Sequence, residues 1–155
     1  MPKIERNISS RSIHHVYNRS VDKQTIFFTD SDYNRFLDKI EQYKVKYKVE
    51  LLVFAILPNH FHFLIKEPDS TPGVEKGVEK SGIVEFIRCL TNAYAKYFNI
   101  KYGRSGSLFE SRFKSKLVSD DEYFNQLVFY ITHNPVKHGL VDKIDEWDYV
   151  FNTRC

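Results

Sequence analysis

Apolar residues recur every three or four positions in three stretches of this chain, and that period predicts helices. The first stretch follows the oxygen-rich run 29–32 (TDSD), whose side chains can cap the start of a helix. The second stretch begins at Ile83 and keeps its spacing until Gly103. We therefore predict two amphipathic helices, each with one face directed to a core.

A third predicted helix carries signals for both its start and its end. Ser119 and Glu122 are spaced as a capping box, in which each side chain bonds the other residue's backbone N–H. Pro135 lacks a backbone N–H and disfavours helix in the residue before it, so we expect this helix to stop at Asn134. Tyr130 and Asn134 lie four residues apart and would share one face.

Other apolar stretches are short and rich in β-branched and aromatic residues, which is typical of strands. Pro58 and Asn59 separate two of these stretches and predict a tight hairpin. The order of elements is strand, helix, strand, strand, helix, strand-like segment and helix. It predicts an α+β fold, specifically a ferredoxin-like split βαβ arrangement with helices packed on an antiparallel sheet. The predicted strands are 13–21, 50–57, 60–66, part of 107–118, and 149–151.

The length of 155 residues and the hydrophobic content of 42% are sufficient for one core, so we predict a single domain over residues 1–155. Residues 68–82 are rich in Pro, Gly, Ser and charge and contain the unit GVEK twice, which predicts a flexible surface loop. Cys89 and Cys155 form no disulfide framework. Without an apolar leader or a run of about 20 apolar residues, we expect a soluble, cytoplasmic protein with no membrane partner.

Two histidines in one predicted strand are the first candidate for chemistry. Residues two apart on a strand face the same side, so His60 and His62 can present two imidazoles to one point. Two ring nitrogens suit a divalent cation that keeps open positions for a phosphate oxygen. For an isolated pair, the commoner explanation is two histidines that face solvent or pack in a sheet.

The phenol of Tyr130 and the amide of Asn134 could approach the same cation from the third helix. The alternative is that Tyr130 belongs to the buried stripe of an amphipathic helix and that Asn134 is only a helix-end residue. Taken alone, this spacing favours the alternative.

Positive charge is concentrated in residues 96–117, which we call the basic segment. The formal net charge of the chain is only +3, so the position of the charges matters more than their total. Aromatic residues alternate with the cations, and this mixture can neutralise phosphates and stack unpaired bases, although an ordinary solvated face explains it equally well. The cations are Lys96, Lys101, Arg104, Arg112, Lys114 and Lys116, against the single acid Glu110.

Five sequence strings, taken together, resemble the HUH-class single-tyrosine transposases and, within them, the REP-associated branch. They extend over nearly the whole chain, so the resemblance covers the entire predicted domain. The strings are VYNR at 16–19, IFFTD at 26–30, LPNHFHFLI at 57–65, GSLFESRFK at 106–114 and YITHNPVKHGLV at 130–141.

The resemblance implies a role for each matching residue. His60 and His62 would be paired ligands of Mg²⁺ or Mn²⁺, Asn134 would complete the metal site, and Tyr130 would be the nucleophile. The family often has a small residue where His138 stands, so the role of this imidazole is open. The residues expected to contact single-stranded or hairpin DNA are Arg19, Arg112 and Lys114, together with Arg104 and Lys116 of the basic segment.

The implied reaction is transposase-like nicking and strand transfer through a 5′-phosphotyrosine intermediate, which needs no nucleotide cofactor. Two other functions stay open at this point. One is a domesticated protein that binds DNA hairpins without cleaving them, and the other is a metal-dependent phosphodiesterase that uses water. Such transposases occur as homodimers that exchange their tyrosine-bearing helices and, in the REP-associated branch, as monomers, so the oligomeric state is also open.

Overall fold

The computed structural model describes residues 11–69, 81–110 and 112–153. The doubled GVEK unit, most of the predicted loop and Cys155 lie outside these ranges. None of the helices within them combines the length and hydrophobicity of a bilayer-spanning segment. The elements in chain order are β1 (Ile13–Arg19), α1 (Asp30–Tyr47), β2 (Glu50–Leu57), β3 (His60–Lys66), α2 (Gly82–Tyr102), β4 (Lys114–Val118), α3 (Asp121–Lys137) and β5 (Val150–Asn152).

Within the described ranges, the strands form one antiparallel sheet in the order β4-β1-β3-β2-β5. α1 connects β1 to β2, and α2 connects β3 to β4, so each crossover passes over one intervening strand. This is the ferredoxin-like split βαβ arrangement, and the predicted α+β fold is confirmed. β5 extends the sheet beyond β2, and α3 is an addition to the basic pattern.

The two faces of the sheet carry hydrophobic clusters of different size. α1 and α2 cover the larger cluster, which includes strand residues such as Val16, Phe61 and Phe63, all 0% exposed. α3 covers only a small cluster on the opposite face. Its buried members are Val53, Ala55, Leu57, Leu64, Val118, Leu127 and Ile131.

A buried carboxylate joins the start of α1 to the end of α2. Thr29 and Asp32 form the capping box of α1, and Asp32 is 0% exposed. Burial alone would raise the pKa of Asp32, but the hydrogen bonds it accepts lower that pKa to about 2. The donors are the backbone N–H groups of Phe28 and Thr29 and the side chains of Tyr97, Lys101 and Tyr102.

The predicted start of the third helix is wrong by one residue. The N-cap of α3 is Asp120 rather than Ser119, because the Asp120 carboxylate accepts a hydrogen bond of 2.7 Å from the backbone N–H of Tyr123. A short carboxylate side chain is an effective N-cap, and its negative charge also suits the positive end of the helix dipole.

The predicted end of α3 is also wrong, since the helix continues through Asn134 and Pro135 to Lys137. A proline removes one helical hydrogen bond, but the next turn is held by bonds from His138 N–H to Asn134 O and from Leu140 N–H to Pro135 O, both 3.0 Å. Pro135 is buried, so packing compensates for the missing bond. As a result, Asn134 stays helical and keeps the same face as Tyr130.

Candidate active site

A row of polar side chains crosses the sheet on the α3 face. In the antiparallel register, Lys114 of β4 is paired with Tyr17 of β1, and Tyr17 is paired with His62 of β3. Directly paired residues point to the same side of a sheet. His60 lies two residues before His62 and faces the same side, and the two ring centroids are 5.2 Å apart. The sheet therefore presents both imidazoles to α3, as predicted from their spacing.

α3 places a phenol and an amide over these imidazoles. The Tyr130 ring stands edge-on to His62, with 5.5 Å between the ring centroids. Tyr130 is 38% exposed, so the ring packs against the site while part of it reaches solvent. Asn134 is 1% exposed, and its Oδ1 lies 3.2 Å from Nε2 of His60. One chain thus brings together all four residues of the predicted catalytic and metal site.

His60, His62 and Tyr130 border an open cavity of about 510 Å³, and Asn134 is buried beside His60. Its walls come from β1, β3, β4 and α3, together with the turn between β2 and β3. Residues that matter for the chemistry below are Tyr17, Arg19, His60, His62, Lys114 and Tyr130. A cavity of this size, open to solvent and lined by cations and imidazoles, can admit a phosphodiester with part of its sugar.

Burial keeps the imidazoles of this site neutral. Desolvation is the main cause that lowers the pKa of His62 to about 2, and the neighbouring titratable side chains of His15, His60, His138 and Lys137 add to it. Desolvation and then Lys116 lower the pKa of His15, a neighbour of His62, to about 4. Desolvation also lowers the pKa of His60, and the contact with Asn134 opposes this effect. A neutral imidazole keeps one nitrogen lone pair, which is the form that binds a cation.

The hydrogen bonds of Asn59 determine which nitrogen of His60 carries the proton. Nδ2 of Asn59 donates to the backbone oxygen of Lys23 at 3.1 Å, and this bond orients the amide. Oδ1 of Asn59 therefore faces Nδ1 of His60 at 2.8 Å, and Nδ1 must be the donor. The lone pair of neutral His60 is consequently on Nε2, the nitrogen that faces Asn134.

Two acceptors, Nε2 of His60 and Oδ1 of Asn134, then lie 3.2 Å apart. Adjacent ligands of an octahedral cation with bonds of about 2.1 Å are separated by about 3 Å, so this spacing fits a shared metal ion. Nδ2 of Asn134 is buried and has no hydrogen-bond partner among the described residues. Without a cation, rotation of this amide would let Nδ2 donate to His60.

The donor set favours one type of cation. In residues 11–69, 81–110 and 112–153, no three His, Cys, Asp or Glu side chains are arranged to hold a metal. The candidate donors for a cation here are the ring nitrogens of His60 and His62 and, at 3.2 Å from Nε2 of His60, the amide oxygen of Asn134. Two imidazoles and one carbonyl suit Mn²⁺ better than the harder Mg²⁺.

Residues 8–134 of the sequence match the family described as "Transposase IS200 like". The chain belongs to this transposase family. The matched range contains both histidines, Tyr130 and Asn134, and the resemblance found in the sequence is confirmed.

Relatives of this IS200-like chain are also found among individual proteins. It is 33% identical over 125 residues to a Haemophilus influenzae protein named "Putative REP-associated tyrosine transposase", covering 77% of this chain and 68% of the relative. A solved structure described as a REP-associated tyrosine transposase bound to a REP hairpin has a TM-score of 0.74 at 19% identity, over 97% of this chain and 82% of that one. A Deinococcus radiodurans crystal structure described as a putative transposase has a TM-score of 0.51 at 17% identity. The match covers 84% of this chain and 95% of that one.

The five residues predicted to contact DNA occupy three places in this IS200-like fold. Arg19 and Lys114 line the cavity that contains His60 and His62, and Lys116 follows Lys114 on the same face of β4. Arg112 lines a separate cavity of about 430 Å³ beside α2. Arg104 donates to Asn99 and to the backbone oxygens of Gly106 and Ser107, so its guanidinium closes the turn after α2.

Glu110, the acid of the basic segment, lies in the middle of this cationic region. It lines both cavities, and its carboxylate accepts a bond of 2.5 Å from Nε of Arg19. The Arg19 guanidinium is therefore already paired with an anion before any phosphate arrives. The pair is partly exposed, so solvent weakens it.

Sequence reasoning missed several residues around the cavity. His15 and Tyr17 alternate on β1 as His60 and His62 do on β3, but this pattern does not show which strand pairs with which. The Lys137 ammonium lies 5.3 Å from the centroid of the Tyr130 ring, which places a cation beside the phenol. His138, whose role the sequence leaves open, has its ring 5.0 Å from that of His60 and lines the same cavity.

Proposed function

We propose that this chain nicks and rejoins single-stranded DNA next to a hairpin, with Tyr130 as the nucleophile and a divalent cation, Mg²⁺ or Mn²⁺, held by His60, His62 and Asn134. The observation that carries the proposal is the meeting of a partly exposed phenol with two neutral imidazoles in one open cavity. A buried phenol or divergent histidines would have left no reactive group at this place.

In the proposed reaction, the Tyr130 oxygen attacks the scissile phosphorus. An O–P bond forms and the bond from phosphorus to the 3′ oxygen breaks, which leaves a 5′-phosphotyrosine and a free 3′-OH. The phenol proton leaves to solvent, and the departing 3′ oxygen takes one up. The bound cation would polarise the phosphate and offset the charge that develops on it. Attack by a 3′-OH reverses the step, and the bond energy is conserved.

Positive groups around the cavity support a DNA substrate. Lys114 and Lys116 lie on one side of β4, and Lys137 lies beside Tyr130 on α3. Phosphates drawn to these ammonium groups would pass directly over the phenol. The solved relative bound to a REP hairpin supports a hairpin as the recognised part of the substrate. We expect the cleaved bond in the single strand that flanks it.

The test is the formation of a covalent protein–DNA adduct. The protein is incubated with Mn²⁺ or Mg²⁺ and a labelled pool of imperfect hairpins with randomised single-stranded flanks, and adducts are separated by denaturing electrophoresis. We expect an adduct with the wild type and none with Tyr130→Phe. Tyr123→Phe is the matched control, since Tyr123 is on the same helix but outside the cavity.

Other results would support a different function. An adduct that survives Tyr130→Phe would assign the nucleophile to another residue. Cleavage without an adduct, retained in Tyr130→Phe, would indicate a phosphodiesterase that uses water. Hairpin binding without cleavage under either cation would indicate a protein that has kept the fold for recognition alone.

A further inference from the structure

A further histidine, on the strand next to β3, contacts the proposed ligand His62. His15 on β1 is 6% exposed, and its Nε2 is 3.1 Å from Nδ1 of His62. The ring centroids are 5.3 Å apart and the planes differ by 19°, which suits a hydrogen bond made edge to edge between the two rings. On its other side, His15 stacks on Tyr17 at 4.8 Å. His15 is therefore fixed in position by packing and is bonded to Nδ1 of His62, which leaves Nε2 of His62 as the ring nitrogen open to another partner.

A hydrogen bond between two neutral imidazoles contains one proton, so only two arrangements are available. In the first, Nδ1–H of His62 donates to His15, and the lone pair of His62 is on Nε2. In the second, Nε2–H of His15 donates to His62, and the remaining proton of His62 is on Nε2. Only the first arrangement leaves Nε2 of His62 able to bind a cation.

We propose that His15 is a positioning residue that accepts the hydrogen bond from Nδ1 of His62 and so keeps Nε2 of His62 unprotonated and directed to the cation. The inference rests on the proposed function for the assignment of His62 as a ligand. Partners of this kind normally hold the non-ligating nitrogen of a metal-bound histidine and fix its tautomer. Here the partner is another imidazole, which adds no negative charge to the site.

The second proposed ligand supports this interpretation. Nδ1 of His60 is bonded to Oδ1 of Asn59, and that amide is oriented by its own bond to Lys23. Both histidines are thus held at Nδ1 by a neighbouring residue, and both have Nε2 left for a shared ion. The strand pairing explains why His15 can do this, since His15 and Tyr17 occupy alternate positions on β1 next to β3.

The first experiment determines the tautomer of His62 in the metal-free wild-type protein from the ¹⁵N chemical shifts of its ring nitrogens at neutral pH. We expect the proton on Nδ1. In His15→Phe, which keeps a ring for stacking but has no acceptor, we expect the proton to move to Nε2. His15→Gln restores an acceptor and should restore the Nδ1–H tautomer. A wild-type His62 protonated on Nε2 would overturn the proposal.

The second experiment measures Mn²⁺ affinity by calorimetric titration of the same proteins without DNA. Loss of such a partner weakens metal binding by about 10- to 100-fold, so we expect that loss in His15→Phe and substantial recovery in His15→Gln. His133→Gln is the control, because His133 lies on α3 outside the cavity. Unchanged affinity in His15→Phe would contradict the proposal.

These outcomes are separable from failure of the proposed function. The wild-type tautomer is measured without any substitution, so the proposal stays testable even if His15→Phe does not fold. If no adduct forms on Tyr130 while the tautomer and Mn²⁺ results hold, the cleavage reaction is wrong and the role of His15 stands. An adduct on Tyr130 with His62 protonated on Nε2 would remove the role of His15 alone.

Discussion

The two faces of the sheet treat buried polar groups in opposite ways. On the face covered by α1 and α2, buried Asp32 accepts hydrogen bonds from several side chains of α2, and its charge is fully compensated. On the face covered by α3, buried Asn134 has an amide nitrogen without a partner in the described part of the chain, and desolvation keeps His62 neutral. The first arrangement uses polar groups for stability, whereas the second leaves one amide donor unpaired and keeps the lone pairs of neutral imidazoles available for a ligand.

Phe63 and His62 test this comparison most sharply, because they are adjacent in β3 and point to opposite faces. Phe63 is 0% exposed in the large cluster, so Phe63→Ala should lower the free energy of unfolding by about 3–5 kcal/mol. Chemical denaturation measures this effect. We expect the protein that stays folded at low temperature to retain adduct formation. If Phe63→Ala lowers the free energy of unfolding by less than about 1 kcal/mol, this face is not the main source of stability.

His62→Ala should have the reverse effect. Removal of a metal ligand should reduce the rate of adduct formation by more than about 100-fold, since loss of an outer partner alone costs about 10- to 100-fold. Stability should fall by only about 1–2 kcal/mol, chiefly because His15 loses its hydrogen-bond partner. Single-turnover kinetics and thermal unfolding of the same preparation separate the two effects. Near-normal cleavage by this variant would exclude His62 from the metal site.

The hydrogen bonds that Asp32 accepts predict how the face of the sheet covered by α1 and α2 responds to acid. The pKa of Asp32 is about 2 in the folded protein against 3.8 in the reference state, so the unfolded chain binds the proton more tightly. The resulting stability, about 2 kcal/mol, is complete only above about pH 5 and is lost progressively as the pH falls through 4 toward 2 and below. In Asp32→Asn, unfolding free energies measured from pH 6 to pH 2 should lack this component. A pH dependence identical to that of the wild type would contradict the assignment.

The smallest expected effect concerns Glu110, which pairs with Arg19 at the edge of the cavity. Glu110→Gln removes a negative charge from the proposed DNA path and releases the guanidinium. We expect hairpin affinity to rise by a few-fold, about 0.5–1 kcal/mol, since an exposed ion pair contributes little. Fluorescence anisotropy at low and high salt measures this change, and the gain should shrink as salt increases. Weaker binding would mean that the pair itself positions the DNA.

Local sequence signals predicted most of the fold. Pro58 and Asn59 marked the hairpin between β2 and β3, and the run 29–32 marked the start of α1. The errors occurred in α3, where local rules placed the cap on Ser119 and the end before Pro135. Both rules consider only the helix itself. A neighbouring carboxylate provided a better cap, and burial of Pro135 made the extra turn favourable.

The candidate site was only partly accessible from the sequence. Strand alternation predicted that His60 and His62 share a side, and the family resemblance supplied Tyr130 and Asn134. His15 was not found, because alternation assigns a residue to a face but does not give the register between β1 and β3. Arg104 was grouped with the DNA contacts from charge alone, whereas its hydrogen bonds to the turn after α2 appear only in three dimensions.

The central claim is that the α3 face holds one divalent cation in front of Tyr130. A crystal structure of the protein with Mn²⁺, located by its anomalous scattering, tests this claim directly. We expect a single strong peak in the cavity, bonded to Nε2 of His60, Nε2 of His62 and Oδ1 of Asn134, with the Tyr130 hydroxyl facing the ion. An empty cavity at saturating Mn²⁺, or an ion bound away from the two imidazoles, would contradict the account.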